Sequence, residues 1–245
     1  MIPLSDEGGR VRRFPIITVL LIAANVVVFL YQMSLNQREL QSFVLQFGVV
    51  PLEITRGQDR PPFLPQGLPV YATVVTSMFM HGGWLHIIGN MLYLWVFGDN
   101  IEDALGTVLF LAFYLATGVA AAYAQVVSDP LSTTPSIGAS GAVAGVLGGY
   151  LLLHPGNRVN SLLIFGFFIR VVQLPAFVVL GFWFILQLFT GVASIGADDV
   201  GVAYWAHVGG FVAGFLLMVP VALVTGIRNR SGRRRGGFLD DHDRW

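Results

Sequence analysis

An all-α fold, a polytopic bundle of six transmembrane helices, is what this sequence predicts, and three observations predict it. The chain of 245 residues is 55% hydrophobic and only 11% charged, with a mean hydropathy of +0.70, whereas a soluble domain carries about 25% charged residues. Six segments meet or approach the roughly 20 mostly apolar residues that a bilayer crossing needs. The arginines between those segments fall mainly on alternate loops.

The first span, 14–33, follows Glu7, Arg10, Arg12 and Arg13. A charged start before an apolar run also fits a secretory signal. However, Leu20 to Met33 lacks a small-residue cleavage site and the run is long enough to span, which predicts a retained anchor. Residues 34–70 form the longest polar stretch, with Pro51, Pro61, Pro62, Pro65 and Pro69. Apolar residues cluster inside it (Phe43, Val44, Leu45, Phe47, Val49, Val50), which predicts short interfacial helices. The remaining spans are 79–98, 107–127, 140–154, 173–192 and 203–224. Residues 156–172 read as an irregular patch, Gly156-Asn157-Arg158 followed by apolar Leu162 to Ile169 and then Arg170. No internal repeat is evident. The expected organisation is an N-terminal segment 1–13, a membrane domain 14–224 with 34–70 as its outer loop, and a basic tail 225–245.

Six spans put both termini on one side, and charge says which. Arg10, Arg12, Arg13, Arg158, Arg170, Arg228, Arg230, Arg233, Arg234, Arg235 and Arg244 lie on one set of loops, and only Arg38, Arg56 and Arg60 on the other. The positive-inside rule places both termini in the cytoplasm. The loops before Ser140 and before His207 then face outward together. The fourth span is short: Ser140 to His154 covers about 22 Å at 1.5 Å per residue, against a hydrocarbon core of about 30 Å. Ser140 is therefore expected below the outer surface, in a water-filled or protein-lined depression where irregular backbone is tolerated.

An ionisable or nucleophilic group in such surroundings is a functional candidate. Gly138-Ala139-Ser140-Gly141-Ala142 opens the fourth span, and His207 lies in the sixth. Serine becomes a nucleophile when a base within hydrogen-bond reach takes its proton, and histidine does this near neutral pH. The competing reading of the serine and glycines is a small-residue packing face: Gly141, Gly145 and Gly149 recur every four residues, and Gly210 and Gly214 match them. The two readings are compatible, since close backbones are what short side chains need in order to meet. No acidic residue lies in the outer half of a span to orient His207, and Asp198 and Asp199 belong to a loop, so a Ser-His dyad is expected. With no cysteine, disulfides and thiol catalysis are excluded.

The third cluster is His81-Gly82-Gly83-Trp84-Leu85-His86-Ile87-Ile88-Gly89-Asn90. His86 and Asn90, four apart, share a helix face. As donors they read either as interhelical glue or as an oxyanion hole. A zinc site at His81 and His86 is a weaker reading, because their spacing turns them about 140° apart on a helix and no third ligand is obvious.

These motifs together resemble the rhomboid family of intramembrane serine proteases. The similarity runs through about residues 14–224 and includes H-x-x-x-x-H-x-x-x-N at His81, His86 and Asn90. It continues with Gly98 and Glu102 in the turn after the second span, G-x-S-G at Gly138 to Gly141, and A-H-x-x-G at Ala206, His207 and Gly210. The resemblance implies that Ser140 is the nucleophile and His207 its base. It further implies that His86, Asn90 and the Ser140 N–H bind the oxyanion, while His81, Glu102, Gly138, Gly141 and Gly210 support the scaffold. Some members place an aromatic residue four positions after the serine, where this chain has Ala144, and some carry a Trp-Arg pair in the first loop, where none of Arg38, Arg56 and Arg60 follows a tryptophan.

The expectation is a cofactor-free endopeptidase in a bacterial-type cell (inner) membrane, acting on single-span membrane proteins in the lipid bilayer and not on nucleic acid. Substrate entry is expected past the aromatic fifth span, with Phe182, Trp183, Phe184 and Phe189. A non-catalytic binder of membrane helices is the rival from another class, and retention of both Ser140 and His207 argues against it. A transporter is disfavoured by the absence of inverted halves.

Overall fold

The computed structural model of the chain describes residues 1–7, 13–58, 69–166, 168–193 and 203–224. The basic tail 225–245, the proline-rich part of the predicted outer loop at 59–68, Arg10, Arg12, Asp198 and Asp199 lie outside the described residues.

Helices occupy all six predicted segments: α1 (Ile16–Ser34), α5 (Trp84–Leu105), α6 (Thr107–Ser128), α7 (Ser140–Leu153), α8 (Ala176–Ala193) and α9 (Tyr204–Leu217). Between α1 and α5 come α2 (Gln37–Phe47), α3 (Pro51–Arg56) and α4 (Thr73–Thr76), the last flanked by tight helical turns. Among the described residues, four helices are long and apolar enough to cross a membrane: Ile16–Ser34, Thr107–Ser128, Ala176–Ala193 and Tyr204–Val224. α5 is long but carries Asp99, Glu102 and Asp103 near its end, and α7 is short.

α7 is apolar on every side, and each residue from Gly141 to Tyr150 is buried. A helix with no polar face belongs at the centre, and α5, α6, α8 and α9 all pack on it. Its closest partner is α9. A Cβ on Gly210 would fall on the carbonyl of Gly141, and one on Gly214 on the carbonyl of Gly145. Only glycine lets two helix backbones touch in this way, so Gly210 and Gly214 close the α7–α9 seam, while Gly141 and Gly145 themselves face Ala121 and Thr117 of α6.

The first loop is built from local signals. Asn36 Oδ1 accepts from the N–H groups of Arg38 and Glu39, and Glu39 Oε2 accepts from Asn36 N–H at 2.9 Å. This capping box starts α2. Pro51 opens α3, and Gly57, with φ +66°, closes it.

The predicted irregular patch at 156–172 is instead a β-hairpin, so the described residues form helices with one small sheet rather than an all-α fold. β2 (Arg158–Phe165) pairs antiparallel with β3 (Phe168–Pro175), and β1 (Ile2–Asp6) adds to the other edge of β2. The register runs Arg158↔Pro175 to Phe165↔Phe168 and Ile2↔Leu162 to Asp6↔Val159. Val159, Ile164, Ile169, Val171 and Val172 supply the β-branched side chains that suit a pleated surface. Gly166, with φ +58°, makes the turn. The sheet is stitched to the helices: the Asp6 carboxylate accepts from the Tyr150 hydroxyl and, at 3.2 Å, from Asn100 Nδ2, while Asn157 Nδ2 donates to Tyr150 Oη at 3.1 Å. Residues 1–7 therefore lie at the same end of the bundle as the hairpin that follows α7.

Candidate active site

The site is assembled at the opposite end of α7. The irregular chain entering that helix is held by backbone pairing: Ser136 and Val49 exchange hydrogen bonds of 2.7 and 3.0 Å, Leu52 N–H donates to Ser132 O at 3.0 Å, and Gly138 N–H to Ser77 O at 2.9 Å. With these groups satisfied, non-helical backbone can sit inside protein at depth. Gly138 has φ +134°, a region that side chains disfavour. A Cβ there would also stand 2.8 Å from Cε1 and Nε2 of His86, and 3.4 Å from Ser140 Oγ. The His86 ring and the Ser140 hydroxyl thus flank the same glycine. Ser140 is the first residue of α7, and the first intrahelical donor is Val143 N–H, to Ala139 O at 2.9 Å. The N–H groups before it are the free ends of the helix ladder.

His86 lies in the first turn of α5. Its Nδ1 accepts from Gly82 N–H at 3.3 Å, so in the neutral ring the proton resides on Nε2, the nitrogen that approaches Gly138. One turn on, Asn90 is buried, and its Nδ2 has no hydrogen-bond partner among the described residues. Leaving a buried donor unmade costs about 1–3 kcal/mol, a cost native proteins tolerate where the group has other work. His81 precedes the helix instead of lying on it, so the helical-spacing argument that separated it from His86 does not apply. The two rings meet edge-on with centroids 5.0 Å apart. His81 is fixed by its backbone: its N–H donates to Gln32 Oε1 at 3.0 Å, and Gln32 Nε2 donates to its carbonyl at 3.3 Å.

His207 occupies the first turn of α9, one turn before the Gly210–Gly141 contact. Its Nδ1 lies 2.7 Å from Gln187 Oε1 on α8. The Trp183 ring lies 5.9 Å from the imidazole, and Tyr204 stands edge-on at 6.5 Å. Among the described residues the side-chain hydrogen bond of His207 goes to Gln187 and not to Ser140. Beside the serine lies a cavity of about 30 Å³, with Ser77, Gln125, Gly138, Ser140, Ala203 and Ala206 in its wall. That is room for a water molecule. Gln125 Oε1 also accepts from Ala206 N–H at 3.3 Å, tying α6 to the start of α9.

Glu102 is remote from this cluster, whereas Gly210 adjoins it, one turn after His207 and against the carbonyl of Gly141, the residue after Ser140. Glu102 lies inside the last turn of α5, not in a turn beyond it, and its carboxylate receives the free N–H groups at the start of α1. Gln187 was not singled out by the sequence reading. Its signal was available: a lone amide in an apolar helical run is costly unless it is partnered.

The fold and this cluster define a polytopic helical membrane protein with serine, histidine and asparagine side chains gathered at one end of a glycine-packed core. Residues 69–223 match the Rhomboid domain, and the chain belongs to the rhomboid family. It is 32% identical over 150 residues to Rhomboid protease GluP of Bacillus subtilis, covering 61% of this chain and 26% of that protein. It is 31% identical over 144 residues to RHOMBOID-like protein 5 of Arabidopsis thaliana, covering 59% of this chain and 42% of the relative. To Rhomboid protease AarA of Providencia stuartii it is 27% identical over 228 residues, 85% of this chain and 73% of that protein. The matched part thus spans less than half the length of the first two of these relatives.

Proposed function

We propose that the chain is a serine endopeptidase that cuts the transmembrane segments of single-span proteins within the bilayer, without a cofactor. The observation that carries this reading is the convergence on Gly138 of Ser140 Oγ and the Nε2 side of the His86 ring, at the free N-terminal end of α7. Ser140 Oγ attacks the scissile carbonyl carbon while His207 Nε2 takes the hydroxyl proton. The negative oxygen of the tetrahedral intermediate is held by the Ser140 N–H, His86 Nε2–H and Asn90 Nδ2, donors that cost no reorganisation when charge develops. Collapse breaks the C–N bond, and the proton on His207 passes to the leaving amine. Water then attacks the acyl-serine, giving its proton to His207, and release of the acid restores Ser140. The Ser140–His207 hydrogen bond closes on substrate binding, when such contacts tighten.

The same proposal includes six spans, cytoplasmic termini with 1–13 and 225–245 on that side, 34–70 outside, and a bacterial-type inner membrane. The placement of residues 1–7 beside the hairpin after α7 supports the shared side. Substrate would enter past α8, where Phe182 and Phe189 are exposed. It must unwind before attack, so Gly or Pro near the scissile bond would help.

The test is incubation of purified protein with a generic transmembrane substrate and with a fluorophosphonate probe. Wild type should cleave the substrate and take up the label, and Ser140→Ala should do neither. Equal labelling of both, or binding of the substrate helix without cleavage by wild type, would return the chain to the class of membrane-helix binders.

A further inference from the structure

α8 is apolar from Ala176 to Ala193 apart from Gln187 and Thr190. Thr190 satisfies itself on its own helix, donating to Leu186 O at 2.7 Å. Gln187 reaches across to α9, where its Oε1 lies 2.7 Å from His207 Nδ1. An amide oxygen only accepts, so Nδ1 must carry the ring proton and Nε2 keeps its lone pair, the tautomer a general base requires. Trp183, one turn earlier on the same face of α8, lies alongside the imidazole at 5.9 Å and 39°. Phe184 stacks on Phe211 at 4.5 Å, fixing α8 against α9 at this height.

We propose that Gln187 is the positioning residue of His207, so that Ser140, His207 and Gln187 form an uncharged triad with Trp183 as its side wall. The proposal rests on the reading of Ser140 and His207 as nucleophile and base. A neutral amide performs the orienting part of the task that a buried carboxylate performs in soluble triads, without placing a charge in the membrane.

The experiment uses the full chain in detergent and measures cleavage of a transmembrane substrate, the rate of fluorophosphonate labelling and the melting temperature. Gln187→Met keeps the shape and loses the acceptor; kcat and the labelling rate should fall about 10- to 100-fold, with KM and melting temperature close to wild type. Gln187→Glu keeps an acceptor and should recover most of the rate. Turnover of Gln187→Met within twofold of wild type would overturn the proposal, as would equal losses in both variants. If Gln187→Met does not fold, ¹⁵N-histidine spectra of the unsubstituted protein decide, with the His207 signal identified by its loss in His207→Ala. A proton on Nδ1 supports positioning by Gln187 and a proton on Nε2 refutes it. Activity surviving in Ser140→Ala or His207→Ala would instead overturn the nucleophile and base assignment itself.

Discussion

Glu102 caps a helix other than its own. Its Oε1 accepts from Ile17 N–H, and its Oε2 accepts from both the N–H and the hydroxyl of Thr18, each at 2.9 Å. α1 begins after Pro15, whose side chain offers no cap. The carboxylate therefore supplies acceptors for the unpaired donors at that end and places negative charge against the positive pole of the helix. Helices α1 and α5 are locked at one end by this contact, far from Ser140 in the fold.

The first prediction follows from that location. Glu102→Ala should lower stability by about 2 kcal/mol or more, since hydrogen bonds to a charged group contribute roughly 1.5–3 kcal/mol. Glu102→Gln, which keeps one acceptor, should cost less. In both variants the fraction that remains folded should label with fluorophosphonate at the wild-type rate. Normal melting with lost labelling would move Glu102 from the frame to the site.

Much of this arrangement is legible in the sequence because burial in a bilayer leaves long records. The apolar runs of α1, α6, α8 and α9 mark helices directly, and the four-residue spacing of Gly210 and Gly214 marks the seam of α9 with α7. What escaped depends on partners distant in the chain. Ile2–Asp6 becomes a strand only because Arg158–Phe165 offers an edge, and that edge needs β3 on its other side. In sequence, Asp99, Glu102 and Asp103 look like a polar turn and hide the end of α5; Glu102 is tolerated in the helix because α1 receives it. Gln187 is hidden in an apolar run, since hydropathy averages over the α8 side chain that hydrogen-bonds His207.

The second prediction concerns sidedness. The chain has no cysteine, so single cysteines report without background. Thr133, exposed in the loop before α7, and Gly156, exposed after it, lie on opposite ends of that helix. In intact cells Thr133→Cys should react with an impermeant thiol reagent, and Gly156→Cys should react only after the membrane is opened. The reverse pattern would refute the arginine argument and place the termini outside.

The third prediction separates catalysis from packing at Asn90. Its Nδ2 is buried and has no partner among the described residues, so its removal breaks no hydrogen bond to any of them. If it meets the oxyanion, Asn90→Ala should lower kcat far more than it raises KM, because the interaction strengthens in the transition state. Loss of one such donor costs on the order of 10²–10³ in rate, and partial cover by His86 and the Ser140 N–H would reduce this. If Asn90 is only a contact between helices, the substitution should instead cost about 0.6 kcal/mol, the average for a membrane hydrogen bond, with turnover of the folded protein unchanged. Melting temperature and kcat measured on the same detergent-solubilised Asn90→Ala protein distinguish the two. The Nδ2 without a partner among the described residues favours the first outcome, since removing a donor that bonds to none of them should leave melting nearly unmoved while turnover collapses. A destabilised variant with normal turnover would remove Asn90 from the oxyanion hole and leave the Ser140–His207 assignment untouched.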